Sequence, residues 1–159
     1  MNYKNQLKTG KSQIAVWGSG YIGLSTMAFF SKNKIKCVGY DIDEKKVQTI
    51  NSGKLPISEL KDWFGFDIKS SVKKKYLKAT NDHNIFYKDS FNVHFIAIPT
   101  EKNGKPFFDI LFNVLKKLIK IIKKKNKIKP VIIIESTLTP QCSEKKIIPF
   151  FKKHDLKPG

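Results

Sequence analysis

The run Gly18-Ser19-Gly20-Tyr21-Ile22-Gly23 constrains this chain more than any other stretch of it. It comes directly after a short apolar segment, Gln13-Ile14-Ala15-Val16-Trp17. It leads into Tyr21 to Lys32, where Ile22, Met27, Ala28, Phe29 and Phe30 stand among small residues. The first segment has the form of a buried parallel strand, and the second that of a helix packed closely on a sheet. Each glycine then has its own task. Gly18 permits the tight turn out of the strand, Gly20 lets the backbone approach a pyrophosphate, and Gly23 brings the helix close to the strand. The free N–H groups and positive dipole end of the helix suit phosphate charge. A bare strand-to-helix turn could use the same glycines, so the pattern gains its meaning from its context in the chain.

That context includes an acid in the expected place. Ile35 to Tyr40 reads as a second strand, and Asp41 comes directly after it, eighteen residues beyond Gly23. In a dinucleotide-binding βαβ unit an acid near this spacing accepts hydrogen bonds from the adenosine ribose hydroxyls. A carboxylate there favours NAD over NADP, whose 2′-phosphate would face it. Lys45 and Lys46 could offset that only in part. Asp41 could instead cap the helix expected over Asp43 to Asn51, which Ser52-Gly53 stops.

Farther on, Leu55 to Lys78 suggests one or two short helices, with Trp63, Phe64 and Phe66 as core and Lys73-Lys74-Lys75 as a solvated face. Leu77 to Thr80 reads as a short strand and Phe91 to Ile98 as a longer one, ended by Pro99. Asn103-Gly104-Lys105-Pro106 makes a turn. Asp109 to Lys125 is a periodic amphipathic helix, with Leu111, Val114, Leu115, Leu118 and Ile122 on one face. Val131 to Glu135 is another strand, and Gln141 to Lys153 a last helix. Strands alternating with helices imply an open, doubly wound parallel α/β sheet of Rossmann type. In such a sheet ligands lie beyond the carboxyl ends of the strands. Here those ends also bring Ile98-Pro99-Thr100 and Glu135-Ser136-Thr137, whose hydroxyls could line a cofactor or simply cap turns.

A formal net charge of +18 raises the question of nucleic acid. Every basic residue is lysine, however, and arginine, which supplies planar bidentate contacts, is absent. The lysines are spread through all segments, as codon bias would leave them, so no specific nucleic-acid partner is expected. No stretch has the twenty or so apolar residues of a membrane span, and Met1 to Lys11 lacks a signal-peptide core. The chain therefore reads as cytoplasmic. Cys37 and Cys142 accordingly read as free thiols packed as small hydrophobes, although Cys142 near a helix start could hold a stabilised thiolate.

Taken together, Gly18 to Leu24 and Gly39-Tyr40-Asp41-Ile42-Asp43-Glu44-Lys45-Lys46-Val47 resemble the N-terminal NAD-binding domain of the UDP-glucose/GDP-mannose dehydrogenase family. Asn51 to Glu59, Leu77 to Asp82, Phe95 to Thr100 and Glu135-Ser136-Thr137 are similar to its later signposts, in order and spacing. The resemblance spans about residues 12 to 158. It implies oxidation of a nucleotide-sugar C6 alcohol to a carboxylate with two NAD. It places Asp41 and Lys46 at the adenosine ribose, Thr100 and Ser136 along the cofactor, and Thr137 at a catalytic water. The E-S-T form leans toward the branch that oxidises UDP-N-acetylmannosamine.

Departures from the family pattern are informative. Gln141 stands where the family has a turn glycine, and Glu101 where it has a second proline. The family's catalytic cysteine sits in a glycine-rich motif, which neither Cys37 nor Cys142 provides. The expectation is a polar extension over 1–11 and a Rossmann domain over 12–159 that lacks its last strand or strands. The central and C-terminal substrate domains, and with them the family's oligomer contacts, would be absent, leaving the chain alone inactive. A stand-alone NAD-binding module, or a degenerate homologue without catalysis, is the alternative.

Overall fold

Five of the apolar runs become parallel strands of one sheet in the computed structural model, which describes residues 2–125 and 130–156. Residues 126–129 and 157–159 of the expected domain lie outside the described residues. The strands are β1 (Gln13–Trp17), β2 (Cys37–Tyr40), β3 (Leu77–Thr80), β4 (Phe91–Ile96) and β7 (Val131–Ile134), in the order β3-β2-β1-β4-β7. From β1 the chain steps outward to β3, returns to lay β4 against β1, and steps outward again to β7. The order therefore reverses between β1 and β4, which opens a crevice beyond their carboxyl ends. Register places Trp17 beside both Tyr40 and Ile96, and Ile96 beside Ile134, so those ends line one edge.

Both faces of the sheet are covered, because alternate residues of each strand point to opposite sides. Ile14 and Val16 join the core under α2 (Tyr21–Lys32), α3 (Glu44–Asn51), α4 (Leu60–Phe64) and α5 (Lys69–Lys73). Ala15 and Trp17 join the opposite core, where α6 (Asp109–Lys125) lays down Leu111, Leu115 and Leu118. A two-stranded ribbon, β5 (Glu101–Lys102) with β6 (Lys105–Pro106), turns on Asn103 and Gly104, both at positive φ.

Several expectations shift at their edges, each for a physical reason. The polar extension is not featureless: Tyr3–Lys8 forms α1, capped by the Asn2 side chain, and Leu7 packs on the core. Strand β4 stops at Ile96 rather than Ile98, because the Ile98 N–H leaves the ladder for the Ser136 hydroxyl, 3.0 Å away. Strand β7 likewise stops at Ile134 rather than Glu135. The aromatic cluster divides, with Phe64 buried and Trp63 52% exposed against Tyr21, because successive helix positions face different ways. The last helix breaks into a wide turn over Ser143–Ile147 and a short α7 over Ile148–Lys152, where Pro149 has no N–H to donate. A 3₁₀ turn at His83–Tyr87, not among the expected elements, starts where the Asp82 carboxylate accepts the Asn84 N–H at 2.9 Å. Gln141 adopts φ +62°, so the position of the family's turn glycine retains the left-handed geometry that glycine suits best. Both cysteines are buried, as packed thiols are, and burial pushes the Cys37 thiol up.

A polar cluster lies inside the α6-side core. The Trp17 indole N–H donates to His94 Nδ1 at 3.2 Å, which puts the imidazole proton on Nε2. Next to it the buried Lys125 ammonium donates to the Phe91 carbonyl at 2.7 Å. Burial and the nearby Lys125 charge push the His94 pKa down to about 3, from an ordinary 6.5. Below the ordinary value the unfolded chain takes up a proton at His94 that the folded chain refuses. Folding stability should therefore fall as pH drops from about 6.5 toward 3, by up to about 1.4 kcal/mol per pH unit from this group. Chemical denaturation across that range measures it, and the His94→Gln variant should show the flatter dependence.

Candidate functional site

The strand-to-helix turn leaving β1 is built around its glycines. Gly18 has φ +94°, and a side chain there would run into the Ala97 carbonyl of the neighbouring strand end. A side chain at Gly23 would strike the Gly18 carbonyl, so its absence seats α2 directly on the turn. Gly20 differs from both. Its backbone is extended and a Cβ there would meet nothing within 4 Å. Neither strain nor protein packing demands glycine at Gly20, so the bareness faces outward, toward whatever rests on the loop. Gly20 is the N-cap of α2, which has no side-chain cap and no acid in its first turn. The half-exposed Tyr21 and Ile22 flank that opening. A pyrophosphate fits this cradle by shape and by charge.

Asp41 organises the adjoining side. Its carboxylate is buried and accepts the Ser19 N–H at 2.8 Å, the Asp43 N–H at 3.0 Å and the Lys46 ammonium at 3.1 Å. The capping alternative is settled by its neighbour, since Asp43 accepts the Lys46 N–H and caps α3. Asp41 and Lys46 form the only ion pair among the described residues. Behind the loop, a side chain at Gly39 would press on Met27 and on the Ser19 hydroxyl, so β2 needs glycine there as well. Asp41 thus stands beside the phosphate cradle at the end of β2, where a carboxylate can receive ribose hydroxyls.

Across the crevice, Ser136 staples two strand ends together. Its hydroxyl donates to the Ile98 carbonyl at 2.8 Å and accepts the Ile98 N–H at 3.0 Å. The Thr100 hydroxyl donates to the Thr137 carbonyl at 2.6 Å, while Pro99 and Thr137 lie exposed at the rim. A cavity of about 350 Å³ opens there, between the β5–β6 ribbon and the loop after β7, with Thr100, Phe108, Thr137 and Leu138 in its wall. Thr26 and Glu135 are residues of this region to which no sequence motif gives a role. The Thr26 hydroxyl, on α2, lies 2.8 and 3.0 Å from the two Glu135 oxygens, and burial raises the carboxyl above its usual range. Only a helix phase carried from Gly20 to Thr26 could have hinted at that contact.

A doubly wound sheet with a glycine cradle and a strand-end acid at its switch point defines a dinucleotide-binding domain. The profile of the UDP-glucose/GDP-mannose dehydrogenase family, NAD binding domain, matches residues 12–158. The chain belongs to that family, carries its NAD-binding domain, and takes NAD as its cofactor. It is 37% identical over 131 residues to the UDP-N-acetyl-D-mannosamine dehydrogenase of Campylobacter jejuni, covering 79% of this chain and 29% of that protein. It is also 37% identical over 132 residues to the UDP-glucose 6-dehydrogenase of Campylobacter jejuni, covering 79% and 30%. Among solved structures it superposes on a ternary complex of GDP-mannose dehydrogenase from Pseudomonas aeruginosa with a TM-score of 0.74 at 23% identity, covering 89% of this chain and 32% of that one. The chain thus spans about three tenths of the length of these relatives. No helix among the described residues is long and apolar enough to cross a membrane.

The glycine geometry separates folding from binding. Gly20→Ala should leave the melting temperature nearly unchanged yet weaken NAD by tenfold or more, whereas Gly23→Ala should cost about 2 kcal/mol of stability through overpacking. Thermal melts and calorimetric titration of both variants decide it.

Proposed function

We propose that this chain is the cofactor-binding part of an NAD-dependent UDP-sugar 6-dehydrogenase, which oxidises the C6 alcohol to the uronate in two successive steps, each using one NAD. The observation that carries the reading is Gly20, bare without a packing reason, beside a buried strand-end carboxylate. When bound, NAD supplies the hydride acceptor for each oxidation. In this reading Gly18, Gly20, Tyr21, Ile22 and Gly23 cradle the pyrophosphate. Asp41 holds the adenosine ribose with Lys46 alongside. Pro99, Thr100 and Ser136 border the nicotinamide half, and Thr137 positions the water that releases the acid. UDP-N-acetylmannosamine is the sugar nucleotide we favour, because Glu135-Ser136-Thr137 has that branch's form and the Campylobacter jejuni relative bears that name.

The thiol that would hold the sugar aldehyde as a thiohemiacetal is not supplied by residues 1–159. Cys37 and Cys142 are 1% and 3% exposed, so neither can reach a substrate. We therefore read residues 12–159 as the cofactor domain alone, inactive by itself. The substrate domains, homo-oligomer contacts and catalytic cysteine belong to the complete enzyme. The buried thiols also favour a stand-alone NAD-binding module as the second reading. Both readings assign the chain to the cytoplasm, with no specific nucleic-acid partner.

Purified chain mixed with NAD and UDP-N-acetylmannosamine should bind NAD and yield no NADH, as monitored by absorbance. Steady NADH production would contradict the proposed division of labour. Calorimetry should find NAD bound more tightly than NADP. Asp41→Ala should weaken NAD about tenfold, the scale of losing a charge-assisted hydrogen bond, and should erase most of that preference.

A further inference from the structure

Glu135 stands apart from the other charges of the molecule. It comes directly after β7 and its backbone N–H still bonds the Ile96 carbonyl at 2.9 Å, so its position at the carboxyl edge is fixed. Its side chain turns toward α2, where both oxygens share the one proton of the Thr26 hydroxyl. Despite a net charge of +18, no ammonium lies within ion-pair distance of it among the described residues. A partly buried carboxylate without a counter-ion is costly to hold. Lysine would have been an easy neighbour in this sequence, so the missing partner invites a ligand explanation.

The layout of the crevice identifies the ligand group. The acid end of β2 takes the adenosine side and Gly20 takes the pyrophosphate, so the rest of a dinucleotide extends over the ends of β4 and β7. Glu135, one residue before Ser136, sits on that half. The nicotinamide ring carries one positive charge when oxidised and none after it receives hydride. We propose that Glu135 is the electrostatic counterpart of the oxidised ring, so that the site holds NAD⁺ in preference to NADH. Thr26 is the positioning residue, fixing the carboxylate to the helix that carries the phosphate cradle.

This inference rests on the two-step reading given above and deepens it. An enzyme that uses two NAD in succession must exchange NADH for NAD⁺ between its oxidations. A carboxylate that loses its ionic partner when the ring is reduced speeds that exchange.

The test measures binding, without turnover. Dissociation constants for NAD⁺, NADH and ADP-ribose, which lacks the ring, are determined by calorimetry for the wild-type chain and for Glu135→Gln. The Gln variant should lower the ratio Kd(NADH)/Kd(NAD⁺) roughly three- to tenfold, the scale of one partly screened charge pair. Its affinity for ADP-ribose should stay within about twofold of wild type by the same reasoning. Glu135→Lys, which the partly exposed position can accommodate, should move the ratio further in the same direction and carries the test if the Gln variant fails to fold. An unchanged ratio in both variants overturns the inference while leaving the cofactor reading intact. Equal weakening of all three ligands assigns Glu135 a structural role and also overturns it. Failure of the wild-type chain to bind NAD⁺, NADH or ADP-ribose would remove the cofactor reading itself, and the inference with it.

Discussion

The Asp41 carboxylate holds the working end of this domain together. It is buried, and it gathers one donor from the glycine loop, one from the start of α3 and one from the Lys46 side chain. Hydrogen bonds to an ionised acceptor are roughly twice as strong as neutral ones, so three of them tie loop, strand end and helix into one unit. The Ser19 N–H is the critical member. Once Asp41 has engaged it, the loop is set with Gly20 facing outward, and a ligand need not spend binding energy on ordering it.

Charge is distributed along the crevice in the pattern that a dinucleotide presents. A helix start without a side-chain cap lies in the middle, free of acids, and suits the negative pyrophosphate of the proposed reading. Carboxylates lie at either side: Asp41 beside the glycine loop, where the proposed reading puts the ribose hydroxyls, and Glu135 at the end of β7, where it puts the ring that is positive only when oxidised. The large net positive charge adds long-range attraction for any polyanion but no selectivity. In the proposed reading, selectivity resides in the few acids placed against that background. Ser136 contributes rigidity instead, since its hydroxyl closes the gap where β4 leaves the ladder.

Much of this is legible in the sequence, because the decisive residues are local. The glycine spacing, the acid after β2 and the apolar runs each report a local requirement within one βαβ unit, and the parallel, helix-covered sheet follows from their alternation, while its strand order comes from the structure. The periodic stretch Asp109 to Lys125 matches α6 at both ends, since its apolar face is buried along its whole length. The features that escape the sequence depend on partners far along the chain. The end of β4 is decided by Ser136, thirty-eight residues away. The setting of Glu135 is decided by Thr26, 109 residues away. Hydrophobicity alone assigns Trp63 to the core, yet a short helix turns it outward while burying Phe64. Asp41 and Asp43 are interchangeable as helix caps in the sequence, and only geometry divides their tasks.

Mapping NAD binding onto the backbone tests the placement of the cofactor most directly. In a ¹⁵N-labelled sample titrated with NAD, the amides of Ser19 to Gly23, Asp41 to Asp43, Ile98 and Ser136 should shift together along a single saturation curve. These mark the two sides of the crevice that Asp41 and Ser136 hold in place. The opposite edge of the sheet carries a separate groove lined by Lys36, Lys75, Lys78 and Lys88, where an anion could settle on charge alone. Shifts confined to that groove, with the Ser19 and Gly20 amides unmoved, would contradict that placement.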